Sequence, residues 1–272
     1  MITRVHKKNK RRMMPIMKDK VRTCKLRMMR DELKRPVICA PIVADEEKAI
    51  AEAMQNICNE SVDITEWRID KYCYRKDKKQ VVGVLKMLRE QFYNMPLICT
   101  FRTANEGGEP IEDEKYYELI RYIADSKFTD YIDIEINRGS VQDVCELIEY
   151  VHNTGIEVIA SCHYFEHTPD KEEMLGVMRR MSEAGADVLK LAVMPRNRRD
   201  VLRLLEVTMD ADDIFCEPVI TMSMGKLGVV SRAAGDLTGS VMTFAGVGEI
   251  SAPGQIAVGE MLNILNSFAE NN

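Results

Sequence analysis

The sequence predicts an eight-fold β/α barrel, and three observations predict it. Eight short β-branched runs alternate with longer stretches of helical spacing. The runs are apolar on both faces, as strands covered outside and packed inside must be. Charged residues interrupt them, several near the C-terminal ends, where barrel sites are built. The alternation itself means parallel strands joined by crossovers. A doubly wound open sheet shares that pattern. Its nucleotide-binding forms lack support, because no GxGxxG follows the first strand and GxxxxGK[ST] is absent.

The strand runs are VICAPIV (37–43), VDITEWRI (62–69), PLICTFR (96–102), YIDIEI (131–136), EVIASCH (157–163), DVLKLAV (187–193), PVITMSM (218–224) and SVMTFAG (240–246). Helices are expected between them, for example over 45–59, 113–126, 140–153 and 170–184. In the second of these, Tyr116, Leu119, Ile120, Ile123 and Ala124 fall three and four apart, the spacing of one apolar helix face. Gly155 and Gly185 follow expected helices, where a left-handed residue often ends the helix. Thr168-Pro169 reads as an N-cap followed by proline at the first helical position.

The chain has 272 residues, 46% of them hydrophobic, enough for one barrel-sized core. Its net charge of -5 hides an asymmetry: residues 1–35 hold 14 Lys or Arg against 3 Asp or Glu, so the rest carries -16. We therefore expect a flexible basic extension over 1–35 and a catalytic barrel over 36–272. The acidic bulk argues against nucleic acid as the main partner. The basic head lacks the apolar stretch of a secretory signal, and no window is apolar enough to span a membrane. Eight cysteines without CxxC spacing, several inside apolar runs, point to a reducing cytoplasm.

The polar residues inside strands carry the chemistry. Glu66 and Arg68 lie two apart and share a strand face. They read either as a rim ion pair or as ligand contacts. Arg102 ends the third run. Asp133 and Glu135 in the fourth are expected to hydrogen-bond loops. His163 closes the fifth, as a satisfied histidine or as a base. Lys190 sits between Leu189 and Leu191 in the sixth. An unpaired ammonium there would cost several kcal/mol, so a lowered pKa and a neutral, nucleophilic amine are expected. A lysine facing a barrel mouth suggests imine chemistry, with His163 one strand away as acid/base. After the eighth run, four glycines and a proline surround Ser251 and Gln255, as a plain loop or as a closing lid.

Six blocks, EWR (66–68), FRTANEGGE (101–109), SCHYF (161–165), LKLAVMP (189–195), ITMSMGKLGVVSR (220–232) and SAPGQ (251–255), occur in the order and spacing of the type I 3-dehydroquinate dehydratases. From about residue 36 onward the chain resembles that family. The resemblance implies that Lys190 forms a Schiff base with 3-dehydroquinate and His163 is the general acid/base. Glu106, in a loop that strand patterning does not mark, would orient the histidine. Arg232 would pair with the substrate carboxylate, and Glu66, Arg68 and Arg102 would bind ring hydroxyls. Ser251 and Gln255 would close the lid, and Met222, Met224 and Phe244 would form an apolar wall. Gly225 stands where some members carry serine.

The implied reaction is dehydration to 3-dehydroshikimate by a carbon–oxygen lyase, with no metal and no cofactor, in a homodimer. A class I aldolase would share the lysine and the barrel, but the EWR pair and the SAPGQ lid argue against it. A non-catalytic quinate- or shikimate-binding regulator has no need of a buried amine.

Overall fold

A computed structural model describes residues 24–248 and 254–269. Its strands are β1 (Val37–Ile42), β2 (Ile64–Arg68), β3 (Leu97–Thr100), β4 (Tyr131–Glu135), β5 (Glu157–Tyr164), β6 (Val188–Val193), β7 (Val219–Ser223) and β8 (Met242–Phe244). Each expected run matches one of them, with β5 running one residue past its run to Tyr164. The order β7-β6-β5-β4-β3-β2-β1-β8 is parallel at every pair. The ring closes through a bridge between Val219 and Ser240, where the Val241 N–H donates to the Val219 carbonyl at 2.9 Å.

The helices are α1 (Lys25–Leu33), α2 (Glu47–Cys58), α3 (Lys78–Gln91), α4 (Asp113–Ser126), α5 (Val141–Asn153), α6 (Lys171–Glu183), α7 (Arg198–Ile214), α8 (Val229–Ala233), α9 (Gly235–Thr238) and α10 (Val258–Ala269). The apolar face read on α4 is buried residue for residue. Side chains cap several starts: Ser140 and Asp143 form a reciprocal capping box on α5, as do Asn197 and Asp200 on α7. One expected cap is corrected. α6 starts after Asp170, whose carboxylate accepts the Glu173 N–H at 2.8 Å, while the Thr168 hydroxyl donates to the Met194 carbonyl at 3.0 Å. Asp170 offers the charged acceptor, which suits the positive end of a helix better. Gly155 and Gly185 have φ of 87° and 90° and end their helices as expected.

Strand alternation divides the core in two. Outward residues such as Trp67, Leu97, Ile134 and Leu189 pack under the helices. Inward residues Val37, Ile64, Ile98, Tyr131, Ile159, Val188 and Ile220 fill the barrel itself. α1 adds to this inner cluster. Leu26 is fully buried in it beside Cys24, and Met29 packs against it. Residues 24–35 therefore differ from the flexible extension expected of them. One fully buried leucine and the bidentate Arg35–Asp63 pair, 2.7 and 3.0 Å, fix this segment under the barrel. The expected extension over 1–23 lies outside the described residues.

Candidate active site

The inward alternation that fills the lower barrel with apolar side chains turns polar one step up five of the strands. Glu66, Thr100, Asp133, Ser161 and Lys190 each follow, two residues on, an apolar inward residue of the same strand. Lys190 is 3% exposed. Its Nζ lies 2.9 Å from Asp133 Oδ2, 3.4 Å from Glu66 Oε1 and 4.8 Å from the centroid of the Phe244 ring. This corrects two expectations. Asp133 does more than hydrogen-bond a loop, since it pairs with the lysine itself as well as with Arg102 and Ser161, and Lys190 is not an unpaired amine. Burial alone would depress the Lys190 pKa, yet the Asp133 and Glu66 carboxylates outweigh it and raise the pKa above the ordinary value. Lys190 is therefore an ammonium in the free protein.

Arg102 holds the carboxylates in place. It is 4% exposed and donates to Ser161 Oγ at 2.8 Å, Asp133 Oδ1 at 2.9 Å, Glu135 Oε1 at 3.1 Å and Glu106 Oε2 at 3.3 Å. Burial opposes its charge, but Asp133, Glu135 and Glu106 more than restore it. Burial likewise opposes the charge on Asp133; Arg102 and Lys190 overcome this and hold its pKa below the ordinary value. Glu135 behaves as the sequence suggests, accepting the Thr103 N–H at 2.8 Å and the Thr103 hydroxyl at 2.6 Å in the loop after β3.

That loop carries Glu106 on a short turn, Ala104–Glu106. Glu106 Oε2 lies 2.7 Å from His163 Nδ1. Gly107 next to it has φ 81°, which favours glycine. A Cβ there would sit 2.4 Å from the Phe165 ring, which stacks on the His163 ring at 6.3 Å between centroids. The glycine thus lets the loop close on the aromatic that flanks the histidine. Burial pushes the Glu106 carboxyl up to about 8, with Arg102 opposing and Glu135 and Asp133 adding. Burial, Arg102 and Lys190 press the His163 pKa well below its ordinary value. The histidine is neutral.

A cavity of about 490 Å³ opens above Lys190. Glu66, Arg68, Arg102, His163, Arg232 and Gln255 line it, as do the apolar residues Met222, Met224 and Phe244. Glu106 stands behind His163, and Ser251 lies outside the described residues. Arg68 makes a bidentate pair with the buried Asp70, both contacts 2.8 Å. The Glu66 and Arg68 side chains therefore share a face without forming a pair with each other. Arg232, on α8, is 6% exposed, forms no salt bridge among the described residues, and has a buried Nε without a hydrogen-bond partner. Burial lowers its pKa. Gly225, at the end of β7, has φ 66°, and Gly254 packs so closely on it that a Cβ there would meet the Gly225 carbonyl oxygen at 2.5 Å. Lys71, Phe165 and Met194 also line the cavity and were not singled out by sequence. The signal for Lys71 was its place in the turn that follows Arg68.

The model of the type I 3-dehydroquinase family matches residues 38–272. A 3-dehydroquinate dehydratase of Clostridioides difficile is 40% identical over 234 residues, 85% of this chain and 91% of the relative. One of Clostridium kluyveri is 42% identical over 235 residues, with the same coverage. A crystal structure of the C. difficile enzyme carrying covalently modified comenic acid superposes with a TM-score of 0.84 at 39% identity, covering 88% of this chain and 94% of that one. With a barrel, a buried strand lysine and matches of this extent, the chain belongs to the type I 3-dehydroquinases.

Proposed function

We propose that the chain dehydrates 3-dehydroquinate to 3-dehydroshikimate through an imine on Lys190. The observation that carries the reading is a buried lysine in the same cavity as a neutral histidine and an arginine without a salt bridge among the described residues. Arg232 receives the substrate carboxylate, and Met222, Met224 and Phe244 face the ring. Glu66 and Arg68 meet ring hydroxyls. Arg102, whose guanidinium donates to Glu106, Glu135, Ser161 and Asp133, acts by positioning Glu106 and Asp133. Ser251 and Gln255 close over the ligand.

The ammonium of Lys190 must first lose a proton. The Glu106–His163 pair takes it, since a deprotonated pair is a base in the same cavity. The neutral amine adds to the ring ketone, and the carbinolamine loses water to give a protonated imine. That cation acts as an electron sink for the neighbouring carbon. His163 removes the proton there, and the resulting enamine expels the β-hydroxyl, which leaves as water with the proton from His163. Water then cleaves the product imine and frees Lys190.

The same reading places the enzyme in the cytoplasm as a homodimer. All eight cysteines are free, as a reducing compartment requires. Leu202, Leu227, Val230 and Leu237 are exposed apolar side chains on adjoining segments around α7, α8 and α9, a surface suited to a second copy. The barrel over 36–272 is the catalytic unit, with residues 24–35 closing its floor. Incubation with 3-dehydroquinate, followed by absorbance of the conjugated enone, tests the activity. A steady rise supports it, and a flat trace with folded protein refutes it.

A further inference from the structure

A second cavity, of about 530 Å³, opens between the segments that lead into α3 and α4. Arg75, Lys76, Lys78 and Lys115 line it over an apolar floor that includes Ile111 and Leu119. Glu112 is the single acidic residue in its wall. Two of the cations are already engaged: Lys78 with Glu118 at 2.7 Å and Arg75 with Glu109 at 3.5 Å. Lys76 and Lys115 form no salt bridge among the described residues. The Nε of Arg75 is buried and has no hydrogen-bond partner.

We propose that this cavity binds a small organic anion. Its carboxylate or phosphate sits among Arg75, Lys76 and Lys115, and its apolar part rests on Ile111 and Leu119. Two features of different kinds agree on this chemistry: four cations against one acidic residue in the wall, and a buried donor without an acceptor. The apolar floor selects against a bare inorganic ion. The site stands apart from Lys190, yet Glu109 links a residue of each cavity by salt bridges. Its carboxylate is shared between Arg75 and Lys71, the latter at 3.1 Å, and Lys71 lines the active-site cavity.

Calorimetric titration with phenyl phosphate, benzoate and inorganic phosphate tests the proposal. The proteins are the wild type, Arg232→Ala, and Lys76→Glu/Lys115→Glu. Arg232→Ala removes the anion site of the active-site cavity, and the double variant changes only exposed side chains. Saturable binding of phenyl phosphate or benzoate should survive in Arg232→Ala and weaken by about tenfold or more in the double variant, because like charges then face the ligand. Lys115→Gln alone should weaken it in the same direction by less. Preference for phenyl phosphate over benzoate would assign a phosphate ester, and the reverse a carboxylate. Absence of saturable binding by either aromatic anion would overturn the proposal. So would binding lost in Arg232→Ala and kept in the double variant, or binding of inorganic phosphate as tight as that of both.

Discussion

Two parts of the active-site wall hold their cations in opposite ways. On the strands, Lys190 and Arg102 are enclosed by Asp133, Glu66, Glu135 and Glu106, and each cation has at least two carboxylate partners. On α8, Arg232 is as buried, yet no carboxylate reaches it among the described residues. The first arrangement is self-compensated, so its chemistry is the redistribution of protons already present. The second is left uncompensated, and a buried unpaired charge is a standing cost to stability that a ligand anion offsets. On the proposed function, the difference separates the group that reacts from the group that recognises.

Removing one partner from the compensated part should have the largest effect on folding. Asp133→Asn leaves both Lys190 and Arg102 short of charge. Loss of one member of a buried pair typically costs about 3–5 kcal/mol. Denaturant unfolding should show a drop of that order, and stability within about 1 kcal/mol of the wild type would mean that the carboxylates are not coupled as described.

The uncompensated part should respond with the opposite sign on stability. Arg232→Met should raise the melting temperature while weakening substrate binding. Arg232→Lys keeps the charge but loses the planar fork that suits a carboxylate. Its loss should appear chiefly as a KM increase of about tenfold, or about 1.4 kcal/mol. Unchanged KM in both variants would mean that another residue holds the carboxylate.

The pH profile sharpens the account of the compensated part. With Glu106 protonated, its O–H donates to Nδ1 and leaves the proton of the ring on Nε2, so His163 offers no lone pair to the cavity. Once the pair loses that proton, the carboxylate accepts from Nδ1–H and Nε2 is free. Because burial raises Glu106 to about 8, kcat/KM should climb about tenfold per pH unit below that value and level above it. Glu106→Gln should remove this limb. A limb that stays in place in Glu106→Gln would assign it to another group.

The smallest effect is expected from the basic head. Deleting residues 1–20 should leave kcat and KM within about threefold, roughly 0.7 kcal/mol, since a basic run with little apolar periodicity has little to bury. A larger change in folded protein would place this head in the active site or in an essential interface.

The barrel was legible because its strands are apolar on both faces, which makes each charged residue within them conspicuous. Glu66, Arg68, His163 and Lys190 stood out that way, and all line the cavity. Glu106 did not, since loops tolerate charge anywhere; only the resemblance marked it. The pairing of Asp133 with Lys190 was illegible for a different reason. The residues are 57 apart, on β4 and β6, and meet only across the interior of the ring. Without that contact the sequence predicted a depressed lysine pKa, whereas the folded barrel raises it. α1 was hidden because its buried contribution rests on Leu26, with Met29 packed alongside, inside a run of charges. What that leucine covers exists only once the strands have closed.

The central claim is that Lys190 supplies the covalent bond and His163 moves the protons. Intact-mass measurement after incubation with 3-dehydroquinate and borohydride, on wild type, Lys190→Ala and His163→Ala, tests it most directly. Wild type should gain ligand mass on Lys190 and lose activity. Lys190→Ala should show neither adduct nor turnover. His163→Ala should lose turnover by at least about 10²-fold and still accumulate adduct, more slowly, because the amine and the ketone remain. An adduct mapped to another lysine, or near-normal turnover by folded His163→Ala protein, would contradict the account.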